Sequence, residues 1–342
     1  MNEIIDIHVH FGAPENSENG CFWSKQFERT PAYWYIKLTS GSLFRKLTFR
    51  DVRKKLINAI TGSRYVNKCV LLAMDKVYDH HGNPRDSETH LYVPNDYIFE
   101  LTQEYDHILF GASVHPYRPD WQEELVYCLH NGAVLCKWIP SSQQIDPSDR
   151  KCFPFYDFLA EYNLPLLLHA GPEYAIPTSD ESYDEKNNPK YIRPALERGV
   201  TVIIAHCALP YFSIFDTAYT DYPEEFYKLI REAESSDWKL YGDLSALSTP
   251  TRNSYIPRLK RIVPQKRLIF GSDYPIPPSE LSYKKKRNIL KWMKLTFRAL
   301  SISNPIDKNY FLIRKMGFEE EVFTNGSMLF EKIIRTDEYR IQ

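Results

Sequence analysis

Two histidines separated by one residue, His8 and His10, stand near the start of the chain in Glu3-Ile4-Ile5-Asp6-Ile7-His8-Val9-His10. In an extended strand successive side chains alternate between faces, so both imidazoles are expected to project one way, with Ile7 and Val9 turned to the other side. Alone the pair is weak evidence, because His-x-His arises by chance and a strand-end imidazole is usually just a hydrogen-bonded side chain. Further residues of metal-binding type follow apolar runs: Lys137 in AVLCKWI, His169 after LPLLL, His206 after VTVIIA, Asp243 in YGDLS and Asp273 after RLIFGS. Imidazoles with a carboxylate suit zinc and also accept iron, manganese or cobalt. Such an ion lowers the pKa of its water from about 15.7 towards about 7, and a nearby imidazole can then remove or deliver a proton at neutral pH.

These residues can cooperate only if the fold brings their strand ends together. Apolar, β-rich runs recur at Ile4–His10, Val66–Met74, His107–His115, Ala133–Ile139, Leu164–His169, Val200–His206, Trp238–Ser245 and Arg267–Asp273. Helical periodicity follows them in Asp51–Ile60, Asn95–Tyr105, Asp120–His130, Phe153–Tyr162, Tyr191–Glu197, Pro223–Glu234, Ile256–Val263 and a long basic stretch from Glu280 to Leu300. Continuous apolar strands alternating with helices are what a parallel sheet covered on both faces requires. Eight such units predict an α/β fold, a single (β/α)8 TIM barrel over residues 1–342. Long lid loops are expected after the first strand (11–50, without clear strand signals) and after the fifth, with a C-terminal helical cap over 301–342. In a barrel the site lies at the carboxyl ends of the strands, and that is where His8, His10, His169, His206 and Asp273 fall. The joint placement of four of the chain's ten histidines on one rim outweighs the bland reading of each.

Composition narrows the function classes. Lys+Arg 43 against Asp+Glu 44 leaves a formal charge of −1, and no basic stripe interleaved with aromatics argues for nucleic acid. Lys284-Lys285-Lys286-Arg287 reads as a solvated helix face. Six cysteines without a Cys-x-x-Cys pair read as reduced, buried thiols, and the first strand begins too early for a signal peptide; a cytoplasmic protein with no membrane span is expected. Cys136 and Cys207 are expected in the core, His115 as a structural side chain, and His80, His81 and His90 on the surface.

The motif set IDIHVHFG, LLLHAGP, IIAHCALP and LIFGSDYP resembles the metal-dependent amidohydrolase superfamily. The similarity is to the amidohydrolase-related branch with aminocarboxymuconate-semialdehyde decarboxylase-like enzymes. It spans Ile4 to about Pro275, and IRKMGFEEEVFTNGSMLF resembles the branch's ending. The resemblance implies one divalent metal held by His8, His10, His169 and Asp273, with His206 as general base or proton shuttle and Asp273 able to take the proton of the activated water. Asp243 resembles a seventh-strand position that orients His206. In binuclear relatives a fourth-strand lysine is carbamylated and bridges two metals; the reading adopted is one metal, with Lys137 an electrostatic or substrate-binding cation. A homodimer is plausible for the branch.

Two reactions fit this set. One is hydrolysis of a small ester, lactone or amide by a metal-activated water; the other is non-oxidative decarboxylation or hydration of a carboxylated small molecule, aromatic ones included. A barrel with a merely structural zinc is disfavoured, since structural sites are closed and leave no spare base. The substrate itself is written in loops that carry no readable code.

Overall fold

The computed structural model describes residues 3–210, 221–282 and 289–334. Each apolar run is a strand: β1 Ile5–His10, β2 Lys68–Leu72, β3 Ile108–Ala112, β4 Ala133–Trp138, β5 Leu166–Leu168, β6 Val202–Ile204, β7 Leu240–Asp243 and β8 Leu268–Ile269. The eight pair in chain order, every pair parallel. The ends of the sheet meet through main-chain bonds: His10 N–H donates to the Tyr274 carbonyl at 2.7 Å and Asp273 N–H to that of His8 at 2.9 Å. Closure needs a glycine at 271, where a Cβ would stand 3.0 Å from that of His8. The result is the expected (β/α)8 barrel.

The helices are α1 Pro31–Thr39, α2 Phe49–Thr61, α3 Asn95–Glu104, α4 Trp121–His130, α5 Pro140–Gln143, α6 Phe153–Glu161, α7 Arg193–Glu197, α8 Tyr222–Ser235, α9 Ile256–Ile262, α10 Ile289–Leu300, α11 Pro305–Lys315 and α12 Glu320–Ile334. An outer apolar layer joins Leu71, Cys136, Leu166 and Val202 to covering-helix residues such as Leu56, Leu125 and Phe226. A smaller inner cluster holds Ile5, Ile7, Leu72, Leu135, Leu167 and Ile203 together with Phe330 of α12.

Four expectations are corrected. Ile7 and Val9 do not share a face: the β1–β2 register shifts between Asp6 and Val9, which puts Ile7 in the inner cluster and Val9 in the outer one. The loop after β1, which carries no clear strand signals, is not without regular elements. It holds α1, started by Pro31 and by Thr30 accepting from Tyr33 N–H, and a two-residue ribbon, Phe22–Trp23, antiparallel to Leu91–Tyr92. The stretch from Glu280 to Leu300 is not one continuous helix but a 3-10 turn at Glu280–Ser282 and then α10, and Lys284–Arg287 lie outside the described residues. Fourth, His90, expected on the surface, is buried, its ring between Ser24 and Ser179, whereas His80 and His81 are exposed as expected. All six cysteines are free and buried. Among the described residues, no helix is long and apolar enough to cross a membrane.

Candidate metal centre and its cavity

The barrel gathers His8, His10 and Asp273 at one end, their ligand-type atoms all within 4.8 Å of one another. Nε2 of His8 stands 2.9 Å from Nε2 of His10, and Oδ1 of Asp273 lies 3.6 Å from each of these nitrogens. His206 faces the other carboxylate oxygen, with Nε2 at 3.8 Å from Asp273 Oδ2, and packs parallel to His8 with ring centroids 5.3 Å apart. His169 meets His206 edge-on at 5.2 Å but stands outside the 4.8 Å group. Lys137 is fully buried, its Nζ stands 3.3 Å from His8 Nε2, and it does not line the cavity.

Asp243 organises the centre more than its sequence position suggests. Its Oδ2 accepts from His8 Nδ1 at 2.7 Å, and its Oδ1 accepts the main-chain N–H groups of His206 at 2.7 Å and Ser245 at 3.0 Å, as well as the Ser245 hydroxyl. The contact to His206 is therefore to its backbone. The ring is held by Ser245, whose carbonyl and Oγ both lie within reach of Nδ1, at 3.2 and 2.7 Å. A carbonyl can only accept, so Nδ1 of His206 carries the proton and Nε2 keeps its lone pair. By the same logic the Asp243 carboxylate fixes the proton of His8 on Nδ1 and leaves Nε2 bare.

Two of these residues sit in left-handed backbone. His206 has φ 55° and is followed by Cys207 and Ala208 with φ 51° and 55°; Asp273 has φ 63°. Such conformations cost about 1–3 kcal/mol for a residue with a side chain and persist only where surrounding bonds hold them, here the Asp243 carboxylate and the His8 carbonyl.

Burial lowers the pKa of His8, His10, His169 and His206 well below the usual imidazole value, so all four are neutral near pH 7. It raises Asp273 well above the carboxylate range, an effect that the charges of Arg252 and Lys137 oppose, and it brings Lys137 down to about 8. Neutral imidazoles with bare nitrogens facing one carboxylate are what a divalent cation needs, and the fit shows in two further places. The 2.9 Å approach of two Nε2 atoms is crowded for two lone pairs but natural for two ligands of one ion. The buried Nε2 of His169 makes no hydrogen bond, although Oε2 of Glu173 is 3.4 Å away. The described residues thus include His/Asp groups able to hold a metal, with a carboxylate–histidine support behind them.

A cavity of about 360 Å³ opens onto these groups. His10, His169, His206 and Asp273 form its polar end, and apolar side chains such as Phe27, Ile36, Leu91, Ile139, Ile176 and Ile276 form its walls. Three residues absent from the sequence reading belong to the site: Ser245, Glu173 and Arg252. Glu173 lines the cavity, its Oε1 accepting from the N–H groups of Ala175 and Ile176 at 2.6 and 3.0 Å. Ser245 and Glu173 had a signal, a polar side chain within four residues of a rim ligand; Arg252 had none. His115 does not line the cavity; Nε2 donates to the Gln143 carbonyl at 2.9 Å, a structural role as expected.

No curated protein matches the sequence. Solved structures do resemble it. An uncharacterized TIM-barrel protein from Bordetella bronchiseptica aligns with TM-score 0.55 and 14% identity over 95% of this chain and 99% of its own. A 2,6-dihydroxybenzoate decarboxylase, complexed with 2,6-dihydroxybenzoate, aligns with TM-score 0.56 and 15% identity over 97% of this chain and 100% of its own. A putative amidohydrolase from Staphylococcus aureus gives TM-score 0.54 and 12% identity over 96% and 99%. At such identities the likeness speaks for the barrel alone, but the amidohydrolase family profile matches residues 5–296, from β1 into α10. The chain belongs to the amidohydrolase family.

Proposed function

We propose that the chain is a metal-dependent hydrolase of a small ester, lactone or amide, with one metal held by His8, His10, His169 and Asp273. The observation that carries this reading is the pairing of that donor cluster with a base outside it: the bare Nε2 of His206, 3.8 Å from Asp273 Oδ2, at the polar end of an apolar cavity. A divalent ion, zinc by the donor set with manganese, iron or cobalt as substitutes, would supply Lewis acidity to water and to a carbonyl oxygen. His206 takes a proton at Nε2 and passes positive charge to a ring whose Nδ1–H is already shared with Ser245. Asp273 offers a second resting place for that proton, beside Nε2. Asp243 holds both histidines through one carboxylate, and the apolar walls keep bulk water from the reacting end. Lys137, whose Nζ stands 3.3 Å from His8 Nε2, would serve as a fixed cation beside a one-metal site; a two-metal site with Lys137 carbamylated is the competing arrangement.

The test combines metal analysis with His206→Ala. We expect one divalent ion per chain in both proteins and a loss of about 10²–10⁴-fold in hydrolysis of a panel of aryl esters, lactones and anilides by the variant. Full activity in the variant, or a metal-free wild type, refutes the assignment. A second reading is non-oxidative decarboxylation; one of the structural neighbours is named a decarboxylase. It differs in product: carbon dioxide in place of an acid with its alcohol or amine.

A further inference from the structure

Large apolar side chains in contact with water gather in one short stretch. Eleven are exposed among the described residues, and four of them, Trp34, Leu38, Leu43 and Phe44, fall between residues 34 and 44, a local cluster and not the ordinary scatter of a surface. Trp34 and Leu38 are four apart on α1 and share its outer face, while Ala32, Tyr35 and Ile36 line the cavity from its inner face. Leu43 and Phe44 lie in the loop that follows, Phe44 at 98% exposure. That loop is held in place. Gly41 N–H and Ser42 N–H donate back to the carbonyls of Leu38 and Lys37 at 3.2 and 3.1 Å. Asp51 of α2 then accepts the Ser42 hydroxyl at 3.4 Å and both terminal nitrogens of Arg45 at 2.6 and 2.7 Å. One carboxylate thus pins the chain on either side of Leu43-Phe44 and leaves the pair projecting into water.

Cationic side chains surround this apolar tip. From Trp34 to Lys55 the chain carries seven lysines and arginines against one acid, Asp51, a formal +6 within a total of −1. Asp51 and Glu104 engage Arg45 and Arg53. Lys46, Arg50 and Lys54 are exposed and, among the described residues, meet no carboxylate within ion-pair distance. Arg45, Lys54 and Lys55 border one surface cleft together with Ser40, which joins the basic residues of α2 to the end of α1. A second copy of the chain is a poor complement, because an isologous contact sets this charge against itself. Nucleic acid would leave Leu38 and Leu43 unmatched, since bases stack on rings. A phospholipid surface answers both halves: aromatic and leucine side chains enter the boundary between headgroups and acyl chains, and lysines and arginines meet the phosphates.

We infer that α1, the loop after it and the start of α2 form a peripheral docking face for membranes that contain anionic phospholipid. Trp34, Leu38, Leu43 and Phe44 enter the headgroup boundary, and Lys46, Arg50 and Lys54 hold the phosphates. One helix then has the membrane on one face and the cavity on the other. The inference stands independently of the reaction proposed for the cavity.

Co-sedimentation of the full chain with phosphatidylcholine vesicles, with and without about one-third phosphatidylglycerol, tests it. Wild type binds the anionic vesicles at least about tenfold more tightly than the neutral ones, and high salt weakens that binding. Phe44→Ser reduces it at least about fivefold, and Lys46→Glu combined with Lys54→Glu at least about tenfold. Phe297→Ser, which removes an exposed ring on α10, leaves it within about twofold. Should the double charge reversal fail to fold, Lys46→Gln combined with Lys54→Gln takes its place and must lose at least about threefold. Wild-type binding that is absent, equal for the two compositions, or untouched by both Phe44→Ser and the charge variants overturns the inference. A loss with Phe297→Ser as large as with Phe44→Ser overturns it too. So does a wild type that ignores vesicles but self-associates in solution and is made monomeric by Phe44→Ser, which assigns the face to a second copy of the chain.

Discussion

The substitution Asp243→Asn separates the roles of one carboxylate with two oxygens. Oδ1 accepts three donors, the N–H groups of His206 and Ser245 and the Ser245 hydroxyl, while Oδ2 accepts one, Nδ1–H of His8. An asparagine has a single acceptor end. Turning its oxygen toward His8 would set its NH2 against three donors, each costing about 1–3 kcal/mol when left buried without an acceptor. Turning its oxygen toward the three donors keeps them and sets the NH2 against His8 Nδ1, so the second orientation wins. His8 then answers by moving its proton to Nε2, the nitrogen that faces His10 and Asp273. The variant is therefore expected to fold, losing at least about 1–3 kcal/mol because all four bonds to the carboxylate lose its charge. Its metal affinity should fall about 10–100-fold, because a ligand nitrogen must first lose its proton. Competition titration with a chromophoric chelator reads the affinity, and long-range proton–nitrogen correlation spectra read the tautomer of His8 in the metal-free protein. Metal affinity within about threefold of wild type, with His8 still protonated on Nδ1, would refute the reasoning.

Two further outcomes are expected. His115 is buried as a neutral ring, Nε2–H to the Gln143 carbonyl and Nδ1 accepting from Tyr117, and burial takes its pKa down from 6.5 to about 3. The unfolded chain then binds the extra proton below pH 6.5, so stability is fully present above that value and is lost as pH falls toward 3. Between pH 7 and pH 5 the wild type should lose about 2 kcal/mol more than His115→Gln; parallel urea midpoints for the two proteins across that interval would contradict it. Gly111 in β3 has no room for a methyl, since a Cβ there would lie 2.6 Å from Leu72 Cδ2 and 2.9 Å from Val70 Cγ1. Gly111→Ala should cost about 1–3 kcal/mol in urea unfolding, and an unchanged midpoint would show that β2 and β3 are packed less tightly than described.

The barrel was legible because parallel strands buried on both faces must be apolar throughout, and residues such as those of VTVIIA have no other comfortable place in a chain this size. Strand ends were less so. The run Arg267–Asp273 keeps its apolar character for longer than β8 keeps its ladder, because after Ile269 the chain bonds across to β1 singly, through Phe270, Asp273 and Tyr274. The register shift in β1 was invisible for a related reason: it depends on which residues of β2 accept a partner, and nothing in IDIHVH records that. The ribbon Phe22–Trp23 is likewise fixed by Leu91–Tyr92, far along the chain, and two residues have no period to read. For α1 a cue was present, Thr30 before Pro31, but an aromatic-rich PAYWYIKLT has little helix preference of its own and packs as a helix only through the buried Ile36.

At the site, polar residues ending apolar runs were readable one by one, whereas their wiring was not. The sequence places Asp243 on the rim, and the family resemblance pairs it with His206; only the closed barrel shows a carboxylate whose two oxygens serve different histidines, one through a ring nitrogen and one through the main chain. The left-handed turn at His206 follows from the same bond, since Oδ1 of Asp243 captures the very N–H that a regular continuation of β6 would spend elsewhere. In the proposed site, metal affinity and base orientation are thus coupled through Asp243. A change at Ser245, which touches both that carboxylate and the His206 ring, should disturb the base while leaving the His8 tautomer intact, because its bonds fall on Oδ1 alone. On the proposed assignment the two oxygens divide the work: Oδ2 would govern how the ion is held, and Oδ1 where the proton can go.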